Sequence, residues 1–409
     1  MIAQKAADER RPFAESPLGT LLADFRARIR GGDLGSLPVV IGLVLIWGIF
    51  QALNPTFLSS ANLVLLTLQC AAVGTIAIGI VIVLLIGQID LSVGSMSGLG
   101  AAILGVGLTQ LGWNLAVAIA VALAAGVAIG LLYGLLFTRF GVPSFVLTLA
   151  GLLAIVGLQS WVLGDTGSIQ IPFDSPIVQF ANSWFLPPWA AYACAALGAG
   201  GLFVSELLRH RRRRRVGLPT SSLLGSGIRA GVLLLLMSVG VWYLSTDRGT
   251  GVMFLFFLLL IVIVNVLLTR TRWGRNVYAV GGSVEAARRA GIRTNRVYIS
   301  VFILCSVFAV IGGLLAAAKL TTVTALSGAG DTNLNAIAAA VIGGTSLFGG
   351  RGSAWSALLG IVVIQSISNG LTLLNLDSWI RFIITGVVLL LAVIIDSLTR
   401  KSRASHGQA

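Results

Sequence analysis

Long apolar runs separated by short polar segments fill most of the chain between residues 38 and 397. Each run can cross roughly 30 Å of hydrocarbon at about 1.5 Å per helical residue. The pattern predicts an all-α polytopic membrane protein with about twelve transmembrane helices. Two of these, near 95–111 and 334–348, are short and rich enough in Gly, Ser and Thr to be broken or re-entrant. The predicted spans are 38–53, 63–87, 95–111, 114–137, 145–163, 189–208, 229–245, 252–269, 297–318, 334–348, 353–373 and 380–397.

The same pattern divides the chain into a membrane domain and two polar ends. Residues 37–397 are predicted to be the transmembrane domain, preceded by a cytoplasmic segment at 1–36 and followed by a cytoplasmic tail at 398–409. Within the first segment, leucine, phenylalanine and isoleucine recur at helical spacing over 17–30, opposite arginines. This spacing predicts an interfacial helix on the inner leaflet. The alternative is a tail without fixed structure.

Three polar segments interrupt the apolar runs. Residues 164–188 carry no basic residue and are predicted to be the longest outer loop, whereas the arginine-rich loop 210–219 is predicted to lie inside, against anionic lipid. The most informative segment is 270–296, because it holds seven arginines and is therefore predicted to be cytoplasmic. Within it, Ser283 suits a helix N-cap and Gly291 a left-handed C-terminal position. A helix of about two turns is unstable alone, so we expect it to dock on a cytoplasmic protein.

Composition and charge support a membrane protein. The chain is 56% apolar and 10% charged, with a mean hydropathy of +0.96. The net charge of +14 could indicate nucleic-acid binding. However, 25 of the 28 basic residues fall on one side of the predicted topology, leaving Arg248, Lys319 and Arg381 on the other. This is the charge asymmetry of an inserted membrane protein with both termini in the cytoplasm, so no nucleic-acid partner is expected.

The sequence lacks the motifs of several enzyme classes. It has no phosphate-binding loop of the G-x-x-x-x-G-K-[ST] type and no HExxH zinc motif. Cys70, Cys194 and Cys305 are far apart within apolar spans, which favours core residues over a disulfide framework or a metal site. We therefore expect a transport subunit rather than an enzyme, with no metal or cofactor bound by this chain.

Two polar breaks are the strongest candidates for substrate chemistry. In the first, Asp90 lies between two apolar spans, where a carboxylate is costly unless it faces a cavity, a partner or a helix end. It either lines a substrate pathway or caps the following helix, and the pattern leaves both open. In the second, residues 328–353 combine Gly, Ser, Thr and Asn with small apolar residues. The two breaks together predict a midplane pathway, although close helix packing alone would need similar residues.

Four ordered motifs occur along the chain: GQIDLSVGSMSGL at 87–99, VPSFVLTLAG at 142–151, GRNVYAVGGSVEAARRAGI at 274–292 and NAIAAAVIGGTSLFGGRGS at 335–353. Together they resemble the permease subunits of ribose-, galactose- and xylose-type ABC importers. The resemblance covers about residues 55–400, and an extra pair of spans at 189–245 is most similar to the xylose branch. At 333–335 this chain has Asn-Leu-Asn where the family usually has Glu-Leu-Asp.

The resemblance implies an inner-membrane homodimer that imports a monosaccharide, xylose or a related pentose. It also implies a cytoplasmic ATPase with two nucleotide-binding cassettes, which would hold ATP and Mg, and a periplasmic sugar-binding protein. The short cytoplasmic helix would then be the coupling helix seated on the ATPase. Two adjacent arginines in it depart from the more common Arg-Leu-Ser. The expected coupling residues are Gly282, Ser283, Glu285, Ala286, Arg288, Arg289 and Gly291.

A neutral sugar would suit a pathway of amide, hydroxyl and carboxyl groups. Other cargo of an ABC permease, such as a nucleoside, a polyol or an autoinducer, remains an alternative, as does a secondary carrier driven by an ion gradient. A non-transporting scaffold would not need polar breaks at two matching places. The predicted pathway residues are Gln69, Gln88, Asp90, Ser92, Ser95, Asn335, Thr345, Ser346 and Asn369.

Overall fold

The computed structural model describes residues 37–217 and 223–377, with 379–380, 382–387, 390 and 394 beyond them. The predicted interfacial helix 17–30, the tail 398–409 and much of the last predicted span lie outside this part. The helices are α1 Leu37–Leu53, α2 Ser60–Leu85, α3 Val93–Thr109, α4 Leu115–Phe140, α5 Ser144–Leu163, α6 Pro176–Asn182, α7 Pro188–Arg215, α8 Leu223–Leu244, α9 Val252–Arg270, α10 Arg272–Gly282, α11 Val284–Arg289, α12 Thr294–Leu320, α13 Asp331–Ile342 and α14 Ala354–Leu373, and the strands are β1 Ser168–Gln170 and β2 Thr322–Thr324.

The helices confirm the predicted fold class. In the described part of the chain, eight are long and apolar enough to cross a membrane, and the 17-residue helices α1 and α3 are shorter apolar elements. Most of their bounds follow the predicted spans closely, because most apolar runs end near glycine, proline or a capping residue, but α7 ends at Arg215 rather than 208 and α8 begins at Leu223 rather than 229. Together they form an all-α polytopic membrane protein.

The centre of the bundle is α2, whose most apolar stretch is 89% buried, compared with 11% for α8. Helix α12 packs antiparallel to it, and an added Cβ on Gly79 of α2 would lie 2.8 Å from the carbonyl oxygen of Cys305. On its other side, α12 meets three glycines of α4 spaced four residues apart, Gly126, Gly130 and Gly134. Small residues at this spacing let helix backbones approach within a membrane.

Helices α7 and α8 form a hairpin at the edge of the bundle. They pack on each other, and the Tyr243 hydroxyl of α8 donates a hydrogen bond of 2.8 Å to the carbonyl of Leu58, which lies just before α2. Two expectations fail here. The arginines predicted in a loop at 210–219 lie on α7, which continues to Arg215 and is about 42 Å long. Cys194, expected in the core, is exposed because α7 is peripheral.

Two polar segments contain structure that the pattern did not predict. Segment 164–188, which was predicted to be an outer loop, includes β1, which pairs antiparallel with β2, and the helix α6. The segment 270–296 includes α10 in addition to the predicted short helix.

The span predicted at 334–348 is wrong in its bounds. Helix α13 has only 12 residues and ends at Ile342, because the following glycines adopt positive φ at positions 344, 349, 350 and 352.

Candidate functional site

The chain leaves the helical conformation between α2 and α3, at residues 86–92. Two hydroxyls at the start of α5 replace the missing helical partners. The backbone N–H of Ile89 donates to Ser144 Oγ at 3.4 Å, and that of Leu91 donates to Thr148 Oγ1 at 3.0 Å. Irregular backbone is tolerated at membrane depth where surrounding protein satisfies it. The bundle therefore stabilises the irregular backbone of the first break with specific side-chain hydrogen bonds.

Asp90 occupies the centre of this break and is 1% exposed. Its Oδ1 accepts hydrogen bonds from the backbone N–H of Ser92 at 2.8 Å and from the Ser92 hydroxyl at 2.7 Å. Cys305, near the middle of α12, is a neighbour, whereas Oδ2 has no hydrogen-bond partner among the described residues. Oδ1 thus stabilises the backbone at the start of α3, whereas Oδ2 can accept a hydrogen bond from a ligand hydroxyl.

A second break precedes α13 and touches the first. The side-chain amide of Asn333 donates a hydrogen bond of 2.8 Å to the carbonyl oxygen of Leu91. Beside this bond, an added Cβ on Gly94 would collide with the carbonyl oxygen of Gly328. The first turns of α3 and α13 therefore meet inside the bundle. The N-terminal ends of interrupted helices carry partial positive charge and commonly face substrate in membrane transporters.

Gln159 on α5 contacts the backbone that precedes the second break, although it was not among the predicted site residues. Its amide nitrogen is close to the carbonyl oxygens of Thr324 and Ser327, both at 3.0 Å, and of Ala325 at 3.4 Å. The side chain is 1% exposed. The isolated amide within an apolar span could have indicated such a contact, because a buried amide needs hydrogen-bond partners within the protein.

Several buried polar atoms near the breaks lack a hydrogen-bond partner in the described part of the chain. Leaving such an atom unpaired costs about 1–3 kcal/mol, so their concentration favours a place where a polar ligand or water binds. Predicted pathway residues Asp90, Asn335 and Thr345 contribute to this set, whereas Tyr133 and Ser306 were not predicted. The atoms are Asp90 Oδ2, Tyr133 Oη, Ser306 Oγ, Asn333 Oδ1, Asn335 Oδ1 and Thr345 Oγ1.

Three further predicted pathway residues line the first break. Gln88 is half-buried two residues before Asp90, while Ser92 and Ser95 are buried. The Ser95 hydroxyl donates to the Ser92 carbonyl at 2.9 Å, within the first turn of α3. These residues therefore share one region with Asp90.

Gln69 and Asn369 lie elsewhere, in a cluster of amides between α2 and α14. Asn62 and Asn369 exchange two hydrogen bonds of 2.8 and 3.0 Å, and Asn369 also donates to Gln69 Oε1 at 3.4 Å. Gln69 is 16 residues from the end of α2 at Leu85, about 24 Å along the helix. The nine predicted residues thus do not form a single site.

Thr345 and Ser346 lie in the turn that follows α13. The Ser346 hydroxyl accepts from the backbone N–H of Phe348 at 3.2 Å, and the N–H of Gly350 donates to the Leu85 carbonyl at 2.9 Å. Helix α10 packs on the same place, because an added Cβ on Gly281 would collide with that carbonyl. The end of α2, this turn and α10 are therefore in direct contact.

The short helix α11 has the predicted caps. Ser283 Oγ accepts a hydrogen bond of 3.2 Å from the backbone N–H of Ala286, and Gly291 has φ of +79°. The preceding α10 is fixed by Tyr278, whose hydroxyl donates to the Gly352 carbonyl at 2.9 Å, and partial burial raises the pKa of this phenol. The bundle end formed by α10 and α11 is called the basic end below.

The sequence matches known permeases over most of its length. Residues 62–393 match the family described as the branched-chain amino acid transport system, permease component. The xylose transport system permease protein of Escherichia coli is 34% identical over 346 residues, 84% of this chain and 87% of that protein. The corresponding Haemophilus influenzae protein is 30% identical over 91% of this chain and 99% of its own length.

A ribose import permease protein of Bacillus subtilis is also similar, at 30% identity over 89% of this chain and 94% of its own. No solved structure matches the chain significantly.

Proposed function

Because the chain belongs to the family of permease components of branched-chain amino acid transport systems, we propose that it is the membrane permease of an ATP-driven importer for a monosaccharide, xylose or a related pentose. Members of this family are transport subunits rather than enzymes. The xylose and ribose permeases among its relatives support sugar as the cargo. The observation that carries the proposal is the meeting of two interrupted helices beside buried polar atoms without partners.

The pathway proposed for the sugar runs past the first turns of α3 and α13. A pentose presents neutral hydroxyls, which both donate and accept hydrogen bonds. Asp90 Oδ2 and Asn335 Oδ1 are acceptors for such hydroxyls, and Tyr133 Oη is both donor and acceptor. A set of this kind suits a polar cargo rich in hydroxyl groups.

Alternating access requires that events at the basic end reach the breaks. The close packing of Gly281 against Leu85, and the hydrogen bond from Gly350 to Leu85, make a rigid connection between α10 and the end of α2. A displacement of α10 and α11 would therefore move the end of α2 and, with it, residues 86–92, whose backbone lacks continuous helical hydrogen bonds. We propose that ATP binding on a separate ATPase drives this displacement.

The proposed assembly contains two copies of this chain in the inner membrane. A cytoplasmic ATPase with two cassettes would hold ATP and Mg and seat α11, whose coupling residues would be those at 282–291. A periplasmic binding protein would deliver the sugar, and surrounding lipid would contact the peripheral helices. In this topology both termini and the basic end face the cytoplasm, as the arginine bias indicates.

Reconstituted transport tests this proposal. The permease would be placed in lipid vesicles with the ATPase and the binding protein encoded beside it, and uptake of labelled xylose would be measured with competing ribose, polyols, nucleosides and branched-chain amino acids. We expect pentose uptake that requires ATP and the ATPase. Uptake driven by an ion gradient without the ATPase would contradict the mechanism. ATP-dependent uptake of another cargo, with no pentose uptake, would contradict the substrate.

A further inference from the structure

A cavity of about 390 Å³, wide open to the surface, lies at the basic end between α11 and the start of α12. Polar and basic residues dominate its lining, and all of them precede Val297, where the apolar run of α12 begins. Arg288, Arg293 and Asn295 are exposed, so a protein that docks on α11 can reach the cavity. Its lining residues are Arg288, Ile292, Arg293, Thr294 and Asn295.

The adjacent arginines of α11 have different surroundings. Both are exposed, but Arg289 Nε donates to Glu285 Oε1 at 3.1 Å, so its charge is balanced by a carboxylate one turn away. Arg288 instead uses Nε to contact the Thr294 hydroxyl at 3.4 Å, which holds it against the start of α12. Its terminal N–H groups remain available to an acceptor in the cavity.

The cavity thus brings together two guanidinium groups without a matching carboxylate. Neither Arg288 nor Arg293 belongs to an ion pair of the described residues. Glu285, the one acidic residue in 270–296, is already engaged with Arg289. Because both side chains are exposed, water screens their mutual repulsion, and an anion bound between them would be attracted by both charges. The N-terminal end of the 27-residue α12 adds partial positive charge to the same side.

We propose that this cavity receives a carboxylate side chain of the cytoplasmic ATPase, bound between Arg288 and Arg293. The inference rests on the proposed function, in which that ATPase seats α11. Guanidinium groups bind carboxylates through paired hydrogen bonds, and Thr294 supplies a further donor. A carboxylate bound in the cavity would give the ATPase a second contact with this part of the chain, in addition to its contact with the outer face of α11.

Neutral substitutions of three arginines test this assignment. Arg288→Gln and Arg293→Gln each remove one cavity charge, whereas Arg270→Gln removes an equal charge at the exposed end of α9, outside both the cavity and the coupling residues. Affinity for the ATPase would be measured with the full permease in nanodiscs of phosphatidylcholine alone. We expect at least about tenfold weaker binding for the two cavity variants and less than about twofold for Arg270→Gln. Arg288→Lys should retain part of the affinity because it keeps the charge.

Three results would overturn the proposal. One is unchanged affinity in both cavity variants, and another is equal weakening by all three glutamines. The third is weakening that appears only when anionic lipid is added, which would identify a lipid phosphate as the occupant. Monodisperse elution and the Arg288→Lys variant separate a binding defect from misfolding. Failure of the broader function would look different, because the unaltered permease itself would not bind the ATPase.

Discussion

The side-chain amide of Asn333 donates a 2.8 Å hydrogen bond to the carbonyl oxygen of Leu91, and this contact joins the two interrupted helices. The sequence resembles permeases that usually carry an acidic residue at this position. An ionised carboxylate has no proton to donate to a carbonyl, so the asparagine makes a contact that the acidic residue could not. The departure from the family pattern therefore has a local structural role in this chain.

Asn333→Asp should weaken the junction of the two breaks. It replaces a donor by a negative charge facing the Leu91 carbonyl, and the loss is expected to cost about 1–3 kcal/mol of stability. Thermal unfolding in nanodiscs and ATP-dependent sugar uptake would both be measured. Asn375→Asp provides the same chemical change at an exposed position after α14. Equal behaviour of the two variants would contradict the role assigned to Asn333.

Gly281→Ala should disrupt the contact between α10 and the end of α2, because the new methyl group would collide with the Leu85 carbonyl. Overpacking of this kind typically costs about 1–3 kcal/mol. Gly231→Ala on α8 is the control, since an added Cβ there has no atom within 4 Å and the position lies outside the coupling residues 282–291. We expect reduced sugar uptake per ATP hydrolysed for Gly281→Ala alone. The same ratio in both variants would argue against this route of coupling.

Gly151→Ala should displace the Tyr133 side chain, whose hydroxyl lies against the glycine backbone on α5. Because Tyr133 is 3% exposed and has little room to move, we expect a stability loss of about 1–3 kcal/mol and reduced uptake. Gly157→Ala, on the same helix and facing open space, should leave both nearly unchanged. Melting temperature and initial uptake rate provide the comparison. A tolerated Gly151→Ala would show that the tyrosine can be displaced without consequence.

Asn369→Leu should destabilise the bundle by about 1–3 kcal/mol, because it leaves the buried amide of Asn62 without its reciprocal partner. The double variant Asn62→Leu with Asn369→Leu removes both amides and should cost less than the sum of the single changes. If the cluster only joins α2 to α14, sugar uptake by the double variant stays close to the parent. Abolished uptake in a stably folded double variant would place these amides on the pathway.

Asp90→Asn should preserve both the start of α3 and much of the transport activity. An amide oxygen can still accept from Ser92, and the amide can still bond to a sugar hydroxyl. Asp90→Ala removes the acceptor and should cost about 1–3 kcal/mol. Stability and ATP-dependent uptake would be compared across the three proteins. Equal loss of uptake in both variants would mean that the charge itself is required, which would contradict a role limited to hydrogen bonding.

Much of the local structure could be predicted because it depends on neighbouring residues. The caps of α11 at Ser283 and Gly291, and most helix bounds, follow from hydrophobic runs and capping chemistry. By contrast, α13 was predicted to be too long because the small residues after Ile342 suit either a helix or a tight turn. Similarly, the arginines after Arg209 looked like a loop, although charged residues can continue a helix beyond the membrane surface.

The sequence by itself determined the all-helical membrane architecture, the polar breaks and the short basic helix, because each depends on composition and spacing within a few turns. That the two breaks meet was decided only by the tertiary structure. Contacts such as Asn333 with Leu91, or Gly281 with Leu85, join residues far apart in the chain through close backbone approach. For the same reason, Gln69 and Asn369 lie away from Asp90, although all three are polar residues within apolar runs. Hydropathy records that a polar group is buried, whereas helix packing determines its partner.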